Sequence, residues 1–153
     1  MIDQVVNAVT ARVGGLTLSL GGNAVPVLKA KAPRQDNGST YNTQITVCPS
    51  DRPKEVTRSD VDVDLHVYKV RVTIWSAGNL GQTAGAADYS AWQDSIEHEF
   101  LRQGCRDDLS GVLGTGVFDT FATQGVYVER GSFGKGWDVQ ALDVTVSIVR
   151  ARA

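Results

Sequence analysis

HVYKVRVTIWSAGNLGQTAGAADYSAWQDSIEHEFLRQ, residues 66–103, changes its hydrophobic period partway along. In its first part Val70, Val72 and Ile74 alternate with Lys69, Arg71 and Thr73. That is the period of two of a half-buried strand. The small residues of SAGNLGQTAGAA then form a loop that buries little. Asp88 stands where a helix N-cap belongs, since its carboxylate can accept from free backbone N–H groups. Tyr89, Trp92, Ile96 and Phe100 follow on one helical stripe, and Gly104 is placed to end the helix. Each such side chain contributes roughly 1.5 to 3 kcal/mol when buried, so this helix is expected to be a main core element. A strand, a loop and a helix of this kind define an α+β domain.

On the N-terminal side, Ile2, Val5, Val6, Val9 and Val13 predict a short amphipathic helix stopped at Gly14-Gly15. Valine forms helix poorly, so this helix depends on docking. LTLSL (16–20) and VPVLKAKA (25–32) predict two short strands joined by a tight hairpin, with Pro26 at an edge or a strand start. YNTQITVCP predicts a strand with Tyr41, Thr43, Ile45 and Val47 on one face. Loops are expected near 33–40, 49–64 and 77–87, the second as a protruding loop or long hairpin tip. Residues 106–123 are ambiguous, with Leu109, Val112 and Leu113 indicating one further helical turn before Gly114. GVYVERG and DVQALDVTVSIVRAR predict the last strands. In the latter Gln140, Leu142, Val144, Val146 and Ile148 alternate with Ala141, Asp143, Thr145 and Ser147.

The chain has 153 residues, 42% hydrophobic and 21% charged, as in a single soluble globular domain with its own core. A net charge of -2 leaves no basic footprint for nucleic acid and no cationic surface for a membrane. No apolar run reaches the roughly 18 residues of a membrane span. MIDQVVNAVTARV does not read as a secretory signal. Cys48 and Cys105 are expected to be two reduced, partly buried thiols, in keeping with synthesis in a cytoplasm.

Motifs for chemistry are scarce. His66 and His98 stand in no His–x–His or His-Glu-x-x-His frame, so no metal site and no cofactor is expected. Asp60, Asp62 and Asp64 invite a calcium reading, but the sixth and twelfth loop positions hold Leu65 and Arg71. Period two instead puts the three carboxylates on one solvated strand face, opposite Val61, Val63 and Leu65. GSFGKGWD (131–138) fails as a phosphate loop, because Glu129 and Gly136 occupy positions that need glycine and a hydroxyl residue. Trp92 belongs to the core stripe. Trp75 and Trp137 either anchor a subunit contact or cap the edges of the core.

In its order of elements the chain resembles the tail terminators among the neck and tail-completion proteins of long-tailed bacteriophages. YKVRVTIWS (68–76), the Trp92–Ile96–Phe100 helix, VQALDVTVSIV (139–149) and the strand-to-loop stretch TVCPSDRPKEVT (46–57) carry the resemblance. It implies a mixed, mainly antiparallel sheet with helices on one face, assembled as a hexameric ring at the head-proximal end of the tail. Such a ring ends tail-tube polymerisation and joins tail to head, with the tail tube protein and a head-completion protein as partners. It implies no catalytic residues, no cofactor and a place in the virion. DNA passes through the lumen without specific binding. Asp60, Asp62 and Asp64 are candidates for an acidic lumen surface, and loop 77–87 for an inter-subunit or tube-facing contact. Rival readings are a head-completion stopper, a tail tube subunit, a ligand-binding module, or a small enzyme built on Asp60, Asp62, His66 and His98.

Overall fold

The computed structural model describes residues 1–20, 23–31, 43–58, 62–77, 83–124 and 137–151. The element order is α1 (Ile2–Gly14), β1 (Ser19–Leu20), β2 (Asn23–Ala24), β3 (Val27–Lys29), β4 (Thr43–Arg58) and β5 (Val63–Ala77). Then follow α2 (Thr83–Leu101), α3 (Gln103–Leu113), β6 (Val117–Gln124) and β7 (Trp137–Ala151). Five strands form one sheet in the order β3-β4-β5-β7-β6, while β1 and β2 make a separate ribbon. Among the described residues only the β3–β4 pairing is parallel, and the expected mixed, mainly antiparallel α+β domain is what forms.

The core lies between one sheet face and the three helices. Ile45 and Val47 of β4 share that face with Tyr68, Val70, Val72 and Ile74 of β5 and with Leu142, Val144, Val146 and Ile148 of β7. Against it pack Val5, Val6, Val9 and Val13 of α1, Trp92, Ile96 and Phe100 of α2, and Cys105 and Leu109 of α3. The valines of α1 are buried at their predicted period, so tertiary packing compensates their modest propensity. A hydrogen bond from Thr120 Oγ1 to the Phe100 carbonyl, 2.6 Å, fastens α2 to β6.

Several local expectations need correction. α2 starts at Thr83, so Asp88 lies inside the helix and does not cap it. Ala84, Ala86 and Ala87 are strong helix formers, and they extend the helix upstream of its apolar stripe. Gly104 lies within α3, after the break at Arg102, and the true stop is Gly114 at φ +67°. The indicated helical turn is an eleven-residue helix, and the ambiguous segment after it contains β6. The first hairpin closes only between Ser19–Leu20 and Asn23–Ala24; Val27–Lys29 leaves it to pair in parallel with Ile45–Val47. β4 continues past Pro49 to Arg58 and stays paired with β5, with a register irregularity between Pro49 and Lys54, so residues 49–58 are strand and not loop. GVYVERG lies outside the described residues.

Candidate assembly surfaces

Strand alternation gives the sheet a second face, and its composition is polar. Gln44 stands opposite Trp75, Thr46 opposite Thr73, and Cys48 opposite Arg71, while β7 sets Ala141 against Thr73 and Asp143 against Arg71. Gln44, Thr46, Cys48, Thr73, Trp75, Ala141, Thr145 and Ser147 are all buried, although the helices pack on the other side. Trp75 Nε1 donates to Thr46 Oγ1 across the ladder at 2.9 Å. Arg71 Nε donates to Asp143 Oδ1 at 3.3 Å, and Arg71 Nη1 lies 3.6 Å from Asp51 Oδ2. Neither the nitrogen nor the oxygen of the buried Gln44 amide has a hydrogen-bond partner, and the Thr73 hydroxyl has none. Burial pushes the Cys48 thiol above its ordinary range, with Arg71 opposing. A neutral thiol in such surroundings is a poor nucleophile.

The helical layer is tied by ions at its rim. Arg12, in the last turn of α1, places Nε 2.8 Å from Glu99 Oε1 on α2 and Nη1 2.8 Å from Asp108 Oδ2 on α3. The Glu99 contact is short but not aligned as a hydrogen bond, whereas Nη1 donates to Asp108. Arg102 Nη1 also reaches Glu99, at 3.1 Å. Cys105 is buried beside this group; desolvation raises its pKa and Arg12 opposes the rise. Both cysteines are free, as expected.

The residues singled out from sequence do not converge. Asp60 lies outside the described residues. Asp62 is exposed and precedes β5, which begins at Val63, so it is not on a strand face. Asp64 is in β5, in register with Arg58 of β4 on one side and Arg150 of β7 on the other. Among the described residues, Asp64 alone of the three aspartates stands in a strand, in register between two arginines. Trp75 is 1% exposed and donates to Thr46 inside the sheet, so it offers no exposed ring in the single chain. Trp137 opens β7 opposite Ala77, and its side chain is outside the described set. Of loop 77–87, Ala77 belongs to β5 and residues from Thr83 to α2; the rest is outside the described residues. His66 is in β5 with Nδ1 buried and unpartnered, and His98 is exposed on α2. Among the described residues, no group of three or more His, Cys, Asp or Glu is placed to hold a metal ion. No described helix is long and apolar enough to cross a membrane.

What the sequence reading missed is the surface at the two sheet edges. Phe118 of β6 is 64% exposed, at a register irregularity between Val117 and Asp119. A bulge of this kind re-aims a side chain out of the strand's alternation. Leu101, beside the Phe100 carbonyl that holds β6, is 63% exposed. On the opposite edge Leu28 of β3 is 40% exposed and is followed by the exposed Lys29 and Lys31. The signal was present in VFDTF, where the irregularity at Phe118 interrupts the period; VLKAK was read as a strand, but nothing in its pattern marks it as an edge of the main sheet.

Neither a family model nor a curated protein matches the chain.

Proposed function

We propose that the chain is a structural virion protein, a tail terminator that forms a hexameric ring at the head-proximal end of a phage tail. The ring ends tail-tube polymerisation and joins tail to head, contacting the tube protein on one side and a head-completion protein on the other. The observation that carries this reading is the architecture, a mixed sheet with three helices on one face and a long β4–β5 arm. That is the arrangement implied by the resemblance. The burial of the second sheet face, the Trp75–Thr46 and Arg71–Asp143 pairs on it, and the neutral thiols fit a scaffold better than a reaction centre. Asp60 and Asp62 are assigned to the acidic lumen past which DNA slides, together with Asp64, which stands in register between Arg58 and Arg150.

The test is light scattering during gel filtration over a concentration series, with negative-stain microscopy of the peak. The expected result is a ring with six times the 16.4 kDa mass of one chain. A monomer at every concentration overturns the free ring and shifts the reading to a head-completion stopper. Changing Asp60, Asp62 and Asp64 together to Asn is expected to reduce infectivity while leaving ring mass intact. Full infectivity sinks the lumen assignment.

A further inference from the structure

We propose that the β6 edge of one copy of this chain docks against the β3 edge of a second copy, as a heterologous head-to-tail contact. The inference rests on the assembly reading for its occupant, but the contact is argued from the edges themselves. Among the described residues β3 and β6 are the two outer strands of one five-stranded sheet, and they are unlike. β6, VFDTFATQ, presents exposed Phe118 and half-buried Phe121, and its single charge is Asp119. The β3 edge, VLKAK, presents exposed Leu28, and its charges are Lys29 and Lys31. Among the described residues Lys29 has one distant partner, Asp3 at 4.0 Å; the Lys29 side chain is 42% exposed and that of Asp3 83%. Apolar therefore meets apolar, and basic meets acidic, when the two edges face each other. Neither edge complements itself, because β6 against β6 opposes two aspartates and β3 against β3 opposes four lysines.

Strand direction agrees with this pairing. β3 runs parallel to β4, and three successive antiparallel ladders then lead through β5 and β7 to β6. β6 therefore runs opposite to β3. A rotation about an axis along the strands preserves those directions, so β6 of one copy meets β3 of the next antiparallel, as in the interior ladders. Phe118, turned outward by the bulge, then stands as the anchor of the contact, with Leu101 at its flank.

Two single variants that keep Leu28 and Phe118, Ala30→Cys beside the first and Gly116→Cys beside the second, test it with a short bifunctional maleimide. Cys48 and Cys105 are 0% exposed and do not react. Mixing the two variants is expected to give crosslinked dimers, neither variant alone should do so, and the double variant should give a ladder. Dimers from one variant alone overturn the proposal, since they mean a self-paired edge. An oligomer of ring mass whose mixed variants do not crosslink also overturns it, yet leaves the ring reading standing. A ladder that closes at a number other than six keeps this contact and overturns the hexamer. A monomer without crosslinks overturns both. As a second measurement, Lys29→Glu with Lys31→Glu should weaken association at least about tenfold, and adding Asp119→Lys should restore part of it. Absence of any loss, with the fold intact by circular dichroism, overturns the charge match and the proposal with it.

Discussion

Arg12 and Glu99, on different helices, approach to 2.8 Å at a site where Glu99 retains only 8% of its exposure. The same guanidinium reaches Asp108, so one side chain joins all three helices. The two halves of this clamp differ in worth, because a carboxylate largely removed from water suffers more from losing its partner than an exposed one does. Arg12→Met is expected to cost about 3 kcal/mol in urea unfolding, the order found when a buried pair is broken. Asp108→Asn, at a side chain 62% exposed, should cost less than about 1 kcal/mol. Equal losses would show that Glu99 is not the important partner.

Gln44 carries an opposite expectation. Its amide is fully buried, and neither polar atom has a partner among the described residues. An amide in that state pays for desolvation without recovering a hydrogen bond. Gln44→Met, close in volume, should stabilise the chain by about 1 to 2 kcal/mol. A stability loss in chemical denaturation would mean that water or a neighbour satisfies the amide.

Thr17, not a glycine, takes the left-handed backbone after α1, at φ 52°. A branched Cβ is crowded there, at a cost of about 1 to 2 kcal/mol. The side chain is exposed, so little packing is lost on replacement. Thr17→Asn is expected to raise the melting temperature, and Thr17→Gly to raise it less because glycine gains more freedom on unfolding. An unchanged or lower melting temperature for Thr17→Asn refutes the strain.

Both thiols titrate above their ordinary range because burial disfavours the thiolate. The folded state therefore holds protons that the unfolded chain releases, and that contribution is complete below the ordinary thiol pKa. Stability should fall as pH rises from that value through the folded one, and Cys48→Ala with Cys105→Ala should flatten the fall. Labelling by a thiol reagent should require unfolding. Rapid labelling of the native protein at neutral pH would contradict the burial.

Much of the core was legible in the sequence because it is written locally. Val5, Val6, Val9 and Val13 recur at helical spacing, Val70 to Ile74 and Leu142 to Ile148 alternate, and all are buried as that spacing requires. The start of α2 was hidden because alanines form helix without marking a face, so Asp88 passed for a cap. β6 was hidden because the irregularity at Phe118 interrupts its period. The parallel pairing of Val27–Lys29 with Ile45–Val47 is a long-range choice that no local pattern records. The strand alternation sets Trp75 on the face opposite Val72 and Ile74, but the burial of that face depends on tertiary context. The candidate assembly surface was the least visible part, since exposed single residues such as Leu28 and Phe118 carry no periodic signature.

β7 follows β6 in the chain, yet lies between β5 and β6 in the sheet. Its partners on β5 run from Val63, opposite Ala151, to Ala77, opposite Trp137. During synthesis β5 and β6 therefore leave the ribosome with no sheet partner between them, and their facing edges stay unsatisfied until the strand ending at Ala151 arrives. Closure of such distant pairings is slow, on the order of milliseconds to seconds. The nascent chain carries its sticky edges on the inside of the eventual sheet throughout that interval. Premature association between copies is thus most dangerous before β7 inserts, when the wrong edges are the ones on offer.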